Sequence, residues 1–167
     1  HSGQGRLIIG PVEGGRVSAV ATAALFAGST LDAIAVDDIR HAVWTKLITN
    51  ACFNTLCALT GAQQCEVARD PQLGPVARQL MLELEALARA SGSAIDGSAD
   101  AAFKLAFEKG AFKPSTLQDL EAGRPLEVAA LVDAPLELAQ RLRVSMPTLT
   151  AVGAALRLKA HCAGLLP

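Results

Sequence analysis

Residues 37–61 read DDIRHAVWTKLITNACFNTLCALTG, and the pattern of apolar residues changes where this stretch begins. Apolar residues recur here every three or four positions, which is the period of an α-helix rather than of a strand. Two acidic residues open the stretch, where they favour a helix N-terminus, and Thr60-Gly61 closes it. The pattern predicts one helix of about six turns, from Asp37 to about Leu59.

Downstream of this helix the pattern predicts only further helices, several of them with recognisable ends. They are expected at about 71–91, about 98–109, after Ser115, at about 127–142 and at about 147–162. Pro135 should kink the fourth of these helices or delay its start, because proline lacks a backbone donor and clashes with the preceding turn. Residues 37–167 are therefore predicted to form one all-helical domain.

Upstream of residue 37 the pattern is mixed. Residues 6–12 and 31–36 are predicted to be short extended segments, and Ser18 is a candidate N-cap of a helix that reaches Ala27. A β-α-β fragment of this size is too small to fold alone. We expect residues 1–36 to be the last part of an α/β domain whose earlier strands precede His1.

Composition and charge narrow the class of protein. The chain is 51% hydrophobic but only 4% aromatic. Its apolar residues are mostly Ala, Leu and Val, and Ala and Leu are strong helix formers. Its 15 basic and 16 acidic residues are spread along the chain, so nothing indicates a nucleic-acid partner. Residues 17–36 carry only one charge, but they are rich in small residues and are interrupted at Gly28, so a membrane span is not expected.

The four cysteines, at positions 52, 57, 65 and 162, form no CxxC pair and have no histidine at zinc-finger spacing. We interpret them as reduced thiols of a cytoplasmic protein, and we expect no metal site.

A polar strip runs along the long helix. Lys46, Asn50 and Asn54 are four residues apart, so they share one face, and apolar residues flank that face on both sides. Such a strip is typical of polar groups that line a cleft: the ammonium can give a proton to a carbonyl oxygen, and the amides can orient a polar ligand. The alternative is one exposed lysine and two asparagines that bond to neighbouring loops.

A second polar cluster follows the helix that is predicted at about 98–109. Its members lie within fifteen residues of one another, and they are Lys113, Pro114, Ser115, Gln118, Asp119, Arg124 and Glu127. By itself the cluster is compatible with a structural turn. Ser115 would then be an N-cap, Gln118 would complete a capping box, and Asp119 and Arg124 would form an ion pair. Glu127 would cap the next helix.

Taken together, the two clusters resemble the ketopantoate reductase family. The family pattern W-x-K-L-x-x-N-x-x-x-N-x-L-x-A-L-T stands here as Trp44, Lys46, Leu47, Asn50, Asn54, Leu56, Ala58, Leu59 and Thr60. The patterns K-P-S-x-x-Q-D and G-R-x-x-E-[IV] stand as Lys113, Pro114, Ser115, Gln118, Asp119, Gly123, Arg124, Glu127 and Val128. A leading G-x-G-x-[IL]-x-[IL]-G segment is present at 3–10, so the resemblance covers nearly the whole chain in the right order.

The resemblance implies an NADPH-dependent reductase that converts a small 2-keto acid, ketopantoate or a similar compound, to the 2-hydroxy acid. It implies that residues 37–167 are a helical domain similar to the C-terminal domain of 6-phosphogluconate dehydrogenase, and that residues 1–36 end a Rossmann domain. The family binds NADPH through a G-x-G-x-x-G turn. Gly3 and Gly5 do not form one, because no glycine stands three residues after Gly5 and a predicted strand, not a helix, follows. We therefore expect the main cofactor site to lie upstream, and this chain alone to be an inactive fragment.

The resemblance also implies a role for each candidate residue. Lys46 would be the general acid that protonates the ketone oxygen, while Asn50 and Asn54 would orient the substrate. Ser115 would contact the substrate carboxylate, and Glu127 would accept a hydrogen bond from a substrate hydroxyl. The expected partners are the 2-keto acid and the N-terminal Rossmann domain, and the long apolar helices also allow a homodimer.

The sequence departs from the family next to Glu127. Ala129 stands where an acid is usual, and Val132-Asp133-Ala134-Pro135 replaces an Asn-Gly turn. After Pro147 the family often has an asparagine, where this chain has Thr148 and Thr150. These changes leave the reaction type intact and leave the substrate open between ketopantoate and another 2-keto acid.

Two other interpretations are compatible with a helical chain. One is a non-catalytic interaction or dimerisation module on the same scaffold, although such a module has no reason to keep Lys46 together with Glu127. The other is a dehydrogenase of the 6-phosphogluconate or 3-hydroxyacid type, which shares the fold but lacks the pattern at 113–127.

Overall fold

The computed structural model describes residues 5–11, 18–95, 97–108 and 110–166. The chain divides into two compact units, His1–Val43 and Trp44–Pro167, and each is described by itself. In the described part of the chain, no helix combines the length and the hydropathy that a membrane span requires.

The first unit contains the predicted β-α-β arrangement. Strand β1 (Arg6–Ile9) pairs in parallel with β2 (Asp32–Ala35), and the short helix α1 (Ala19–Ala24) connects them. Ser18 is the N-cap of α1, as predicted, because its hydroxyl accepts a hydrogen bond of 3.3 Å from the backbone N–H of Ala21. The strands are shorter than predicted, and residue 12 lies outside the described residues.

The second unit is helical, which confirms the predicted fold class. Its helices are α2 (Ile39–Thr60, which begins in the first unit), α3 (Gln64–Arg69), α4 (Leu73–Ala90), α5 (Ser98–Glu108), α6 (Ser115–Glu121), α7 (Ala134–Leu142) and α8 (Pro147–Cys162). Helix α3 was not predicted, because six residues are too few to show a helical period.

Helix α2 is the central element of the helical unit. All eight residues from Ala51 to Ala58 are buried, so this part of the helix is surrounded by the core on every side. Helix α4 instead buries one face, and the thiol of Cys52 on α2 donates to the backbone oxygen of Ala77 on α4 at 3.3 Å.

Buried or half-buried charges stabilise several helix ends. The buried carboxylate of Glu83 on α4 accepts hydrogen bonds from the N–H groups of Thr148 (3.0 Å) and Leu149 (3.1 Å) in the first turn of α8. Glu85 in the same way accepts from the N–H of Ala99 in the first turn of α5 at 2.7 Å. At the C-terminal end of α2, the ammonium of Lys159 on α8 donates to the backbone oxygen of Ala58 in the last turn at 2.6 Å. Each charge has the sign that the helix dipole favours at that end.

Pro135 changes the helix geometry upstream of itself. Residues Ala129–Asp133 form a π-helical turn, hereafter the π-turn, in which the N–H of Ala134 donates to the oxygen of Ala129. The α-helical part begins only at Ala134, so Pro135 lies in the first turn of α7, where its missing N–H is tolerated. The helical stretch runs without a break from Val128 through the π-turn into α7, so it is not delayed to Pro135, and the π-turn itself was not predicted.

We expect Glu83→Gln to lower the free energy of unfolding by about 2–3 kcal/mol, because the amide keeps one acceptor and turns a donor towards a backbone N–H. The matched control is Glu137→Gln, which removes an exposed pair with Arg141 on α7 and should cost less than about 0.5 kcal/mol. Urea unfolding followed by circular dichroism measures both. Equal effects of the two substitutions would contradict the capping role.

The thiols differ in access to solvent. Cys52, Cys57 and Cys65 are buried, whereas Cys162 is exposed. Burial raises the pKa of Cys57 to about 12, with smaller contributions from Glu66 and Cys65, and burial likewise raises the pKa of Cys52. The folded chain keeps these thiols protonated while the unfolded chain ionises, so their contribution to stability is complete below pH 9 and declines as the pH rises towards 12.

At pH 8 we expect one thiol per chain to react rapidly with Ellman's reagent, because thiolate formation requires access to solvent. The Cys162→Ser variant should lose this fast phase and keep three slow thiols. A fast phase that persists in the variant would show that a buried cysteine is reactive.

Candidate active site

The polar strip on α2 passes from solvent into the core. Lys46 is exposed, Asn50 is half-buried, and Asn54 is buried with 4% of its surface exposed. Successive members are one helical turn apart, at about 6 Å along the axis. Trp44 and Ile48, which lie roughly on the opposite face of α2, are buried. The strip therefore presents a charged group at its outer end and an amide at its inner end.

Ser115 lies at the first position of α6, but it is not the N-cap. Pro114 holds that position in an extended conformation and has no side chain that can cap. Gln118 donates to the backbone oxygen of Lys113 at 2.7 Å instead of completing a capping box. The capping prediction was therefore wrong, because the helix begins one residue earlier than the N-cap interpretation requires. The Ser115 hydroxyl remains available for another partner.

That partner is Asn54. Its side-chain N–H donates to the Ser115 hydroxyl oxygen at 3.5 Å, across 61 residues of sequence. The distance is at the long end for a hydrogen bond, so its stabilising effect is weak. The bond nevertheless places the inner end of the strip next to the start of α6. The hydroxyl keeps its own proton and can donate it to a ligand oxygen.

Ion pairs flank α6. Arg124 binds Asp119 at 2.6 Å, which agrees with the predicted structural pair, and Lys113 binds Glu121 at 2.7 Å. Both pairs are largely exposed, so each contributes little to stability. In these pairs the motif residues Lys113, Asp119 and Arg124 bind side chains close to them in sequence and do not line a cleft.

Glu127 stands exposed between two buried neighbours. Leu126 and Val128 are at most 2% exposed, and the N–H of Leu126 donates to the oxygen of Leu165 at 2.9 Å. The backbone oxygen of Glu127 accepts from the N–H of Leu131 in the π-turn at 3.0 Å. The carboxylate is thus held outward on a well-anchored backbone, and it caps no helix among the described residues.

The candidate residues differ in how far the structure unites them. Asn54 and Ser115 are bonded, and Asn50 and Lys46 lie on the same helix face as Asn54. In the described chain, no hydrogen bond or ion pair joins Glu127 to the other candidates, and the side chains of Lys46 and Glu127 have no such partner at all. A contact of Glu127 with the strip therefore stays a prediction.

Two features next to Glu127 were missed by sequence reasoning. One is the π-turn, for which Pro135 was the only signal. The other is the close approach of α8, where Gly153 faces the buried side chain of Val132. Val132, one of the departures from the family pattern, is therefore a packing residue. Thr148 donates its N–H to Glu83, and the Thr150 hydroxyl donates to the backbone oxygen of Met146, the N-cap residue of α8.

A groove of about 430 Å³ lies elsewhere on the helical unit, between α3, α4 and α5. Arg69, Arg78, Phe103 and Phe107 are among its lining residues, and none of the five candidates is. Arg69 and Arg78 already have partners there, the backbone oxygen of Phe107 and the carboxylate of Asp100. The groove therefore presents fewer free polar groups than the strip does.

The chemistry available at the strip follows from its donors. An exposed ammonium, a half-buried amide and a hydroxyl follow one another on one side of the helical unit. Such groups suit an anion or a carbonyl compound with several oxygens, and the ammonium can stabilise negative charge on an oxygen or protonate it.

The chain matches known proteins over most of its length. Residues 38–160 match the family described as ketopantoate reductase PanE/ApbA C terminal. The 2-dehydropantoate 2-reductase of Mesorhizobium japonicum is 39% identical over 142 residues, which are 85% of this chain and 43% of that protein.

Solved structures agree with this match. The crystal structure of 2-dehydropantoate 2-reductase from Methylococcus capsulatus has a TM-score of 0.87 at 30% identity, over 98% of this chain and 53% of that chain. The one from Geobacter metallireducens has a TM-score of 0.84 at 32% identity, over 94% and 54%. The chain thus spans about half the length of these relatives. It belongs to the ketopantoate reductase family, and it matches the C-terminal domain of that family.

Proposed function

We propose that this chain is the substrate-binding part of an NADPH-dependent reductase, which converts ketopantoate or a similar small 2-keto acid to the 2-hydroxy acid. The observation that carries the proposal is the hydrogen bond between Asn54 and Ser115, because it unites the two family motifs in one place. NADPH supplies the hydride when it is bound, and its main binding site belongs to a domain that precedes this chain.

The first unit supports the proposal that such a domain precedes it. Ile8 and Ile34 lie opposite each other in the two parallel strands, and they are 43% and 37% exposed. Leu25, the C-cap residue of α1, is 82% exposed. A two-stranded sheet with uncovered apolar side chains is typical of one end of a larger sheet, in which further strands and helices cover them.

Lys46 is the proposed general acid. A ketone that receives a hydride develops negative charge on its oxygen, and a proton must reach that oxygen. An ammonium at the exposed outer end of the strip, on a rigid helix, can meet the oxygen without being buried itself. The Lys46 side chain has no ion-pair partner among the described residues, so its proton is not committed to another group.

Asn50, Asn54 and Ser115 are the proposed orienting groups. Asn50 is half-buried and reaches the substrate from the same helix face as Lys46. Asn54 fixes the Ser115 hydroxyl by donating to its oxygen, so that the hydroxyl proton points away from Asn54 and towards the substrate carboxylate. A ligand held at both ends by donors on rigid elements needs little further ordering before it reacts.

Glu127 is the proposed acceptor for a second hydroxyl of the substrate. Its exposed carboxylate on an anchored backbone suits a binding role rather than proton transfer to the carbonyl. Ala129 and Val132 alter the surroundings of Glu127, so ketopantoate and other hydroxylated 2-keto acids are the substrates to compare.

In the full-length protein, Lys46→Ala should lower kcat by about 10²–10⁴-fold and change the substrate KM much less. The reason is that the ammonium interacts more strongly with the transition state than with the ketone. Lys46→Arg keeps the charge but provides no acid near neutral pH, so kcat should stay low.

The matched control is Lys104→Ala on α5, which removes an exposed lysine away from the strip and should leave kcat unchanged. Steady-state kinetics with ketopantoate and NADPH measures all three variants. Turnover near that of the wild type in Lys46→Ala would remove the catalytic role and favour a non-catalytic module.

Glu127→Ala should instead raise KM, because a hydrogen bond to the substrate hydroxyl forms in the ground state and the transition state alike. We expect about a tenfold rise for ketopantoate, since hydrogen bonds to charged groups contribute about 1.5–3 kcal/mol. The comparison substrate is 3,3-dimethyl-2-oxobutanoate, which lacks only the hydroxyl, and its KM should not change. A rise in KM for both substrates would contradict the assignment.

A further inference from the structure

The backbone of Glu127 is bonded to the π-turn that follows it. The oxygen of Glu127 accepts from the N–H of Leu131 at 3.0 Å, so any shift of the turn displaces the backbone of Glu127. Its two neighbours in sequence are buried, and the N–H of Leu126 donates to the oxygen of Leu165, so the π-turn is one of several anchors of this segment. A π-helical turn within a helix often marks a functional site, because its geometry is sustained by surrounding contacts rather than by local preference.

Those contacts come from α8, at two points. Arg157 on α8 forms an ion pair with Asp133 at the end of the π-turn. Gly153, one turn earlier on α8, faces Val132 so closely that a Cβ at this position would overlap Cγ1 of Val132 and lie 3.3 Å from its Cγ2. Glycine is therefore the only residue that permits this separation between α8 and the turn.

Helix α8 is itself fixed at its N-terminus. The buried Glu83 carboxylate accepts the N–H groups of Thr148 and Leu149, four to five residues before Gly153. A helix that is tied to α4 at one end has little freedom to retreat from the turn. The side chain of Val132 has little freedom either, because it is 2% exposed and a β-branched residue has one strongly preferred rotamer in a helix.

We propose that α8 is a clamp on the π-turn that positions Glu127 for the substrate hydroxyl, with Gly153 as the positioning residue that sets the distance. The inference rests on the proposed binding role of Glu127 and adds to it the element that controls its place. A methyl group at position 153 pushes the turn away from α8 and carries Glu127 out of reach of the hydroxyl.

The test is steady-state kinetics of the full-length protein with ketopantoate and with 3,3-dimethyl-2-oxobutanoate. Gly153→Ala should raise the KM for ketopantoate about threefold to tenfold, which is the range for a weakened hydrogen bond. It should leave kcat within about twofold, and it should leave the KM for the comparison substrate unchanged. Adding Val132→Ala, which removes the two methyl groups that face the new one, should restore the KM for ketopantoate.

The matched control is Gly74→Ala on α4. A Cβ there would lie 2.8 Å from the oxygen of Ala68, so this variant also crowds a helix, but at the groove rather than near Glu127. It should lower Tm as Gly153→Ala does and leave both KM values unchanged. If Gly153→Ala does not fold, Arg157→Gln removes the second clamp contact at the surface, and it should raise the KM for ketopantoate alone, by about twofold.

The outcomes separate the two proposals. If Glu127→Ala raises the KM for ketopantoate and Gly153→Ala lowers only Tm, the clamp is wrong while the role of Glu127 stands. If Gly153→Ala raises KM for both substrates, or if Val132→Ala does not restore it, the glycine is only structural and the clamp is again wrong. If Glu127→Ala changes neither KM, the role of Glu127 fails, and the clamp fails with it.

Discussion

The burial of residues 51–58 of α2 on all sides is the constraint on which the packing of the helical unit depends. A helix whose residues 51–58 are all buried can have no polar face at that level, except where a polar side chain finds an internal partner. Thr55 bonds to the oxygen of Ala51 on its own helix, and Asn54 donates to Ser115. The bond between α2 and α6 that joins two candidate residues thus also gives a buried amide its partner. The same amide, which would otherwise be buried without a partner, donates to the hydroxyl of Ser115.

Charged side chains at helix ends connect the helices of this unit to one another. Glu83 and Glu85 on α4 bind the N-termini of α8 and α5, and Lys159 on α8 binds the C-terminus of α2. Helix α4 therefore holds α8, and α8 in turn contacts both the end of α2 and the π-turn. The segments that carry Asn54 and Glu127 are connected through α8 even though no hydrogen bond or ion pair in the described chain links those two side chains.

Sequence reasoning succeeded where the signals are local. The acidic opening of α2, the prolines at the starts of α7 and α8, and the glycines after the helices fixed most boundaries within two residues. It failed where distant residues cooperate: the capping carboxylate of Glu83 and the approach of Gly153 to Val132 depend on α4, α8 and the π-turn coming together. Local reasoning even misled at Ser115, because Pro114 already occupies the position that the serine was expected to hold. The strip on α2 followed from periodicity, whereas its connection to the second cluster came only from the family resemblance.

The central proposal is that the strip and Glu127 bind one substrate, and a crystal structure of the full-length protein with NADP⁺ and pantoate tests it. We expect Lys46 Nζ within about 3 Å of the 2-hydroxyl oxygen, the Ser115 hydroxyl at the carboxylate, and a Glu127 carboxylate oxygen at the second hydroxyl. A ligand bound in the groove beside Arg69 and Phe107, or a ligand at the strip with Glu127 turned away from it, would contradict the account.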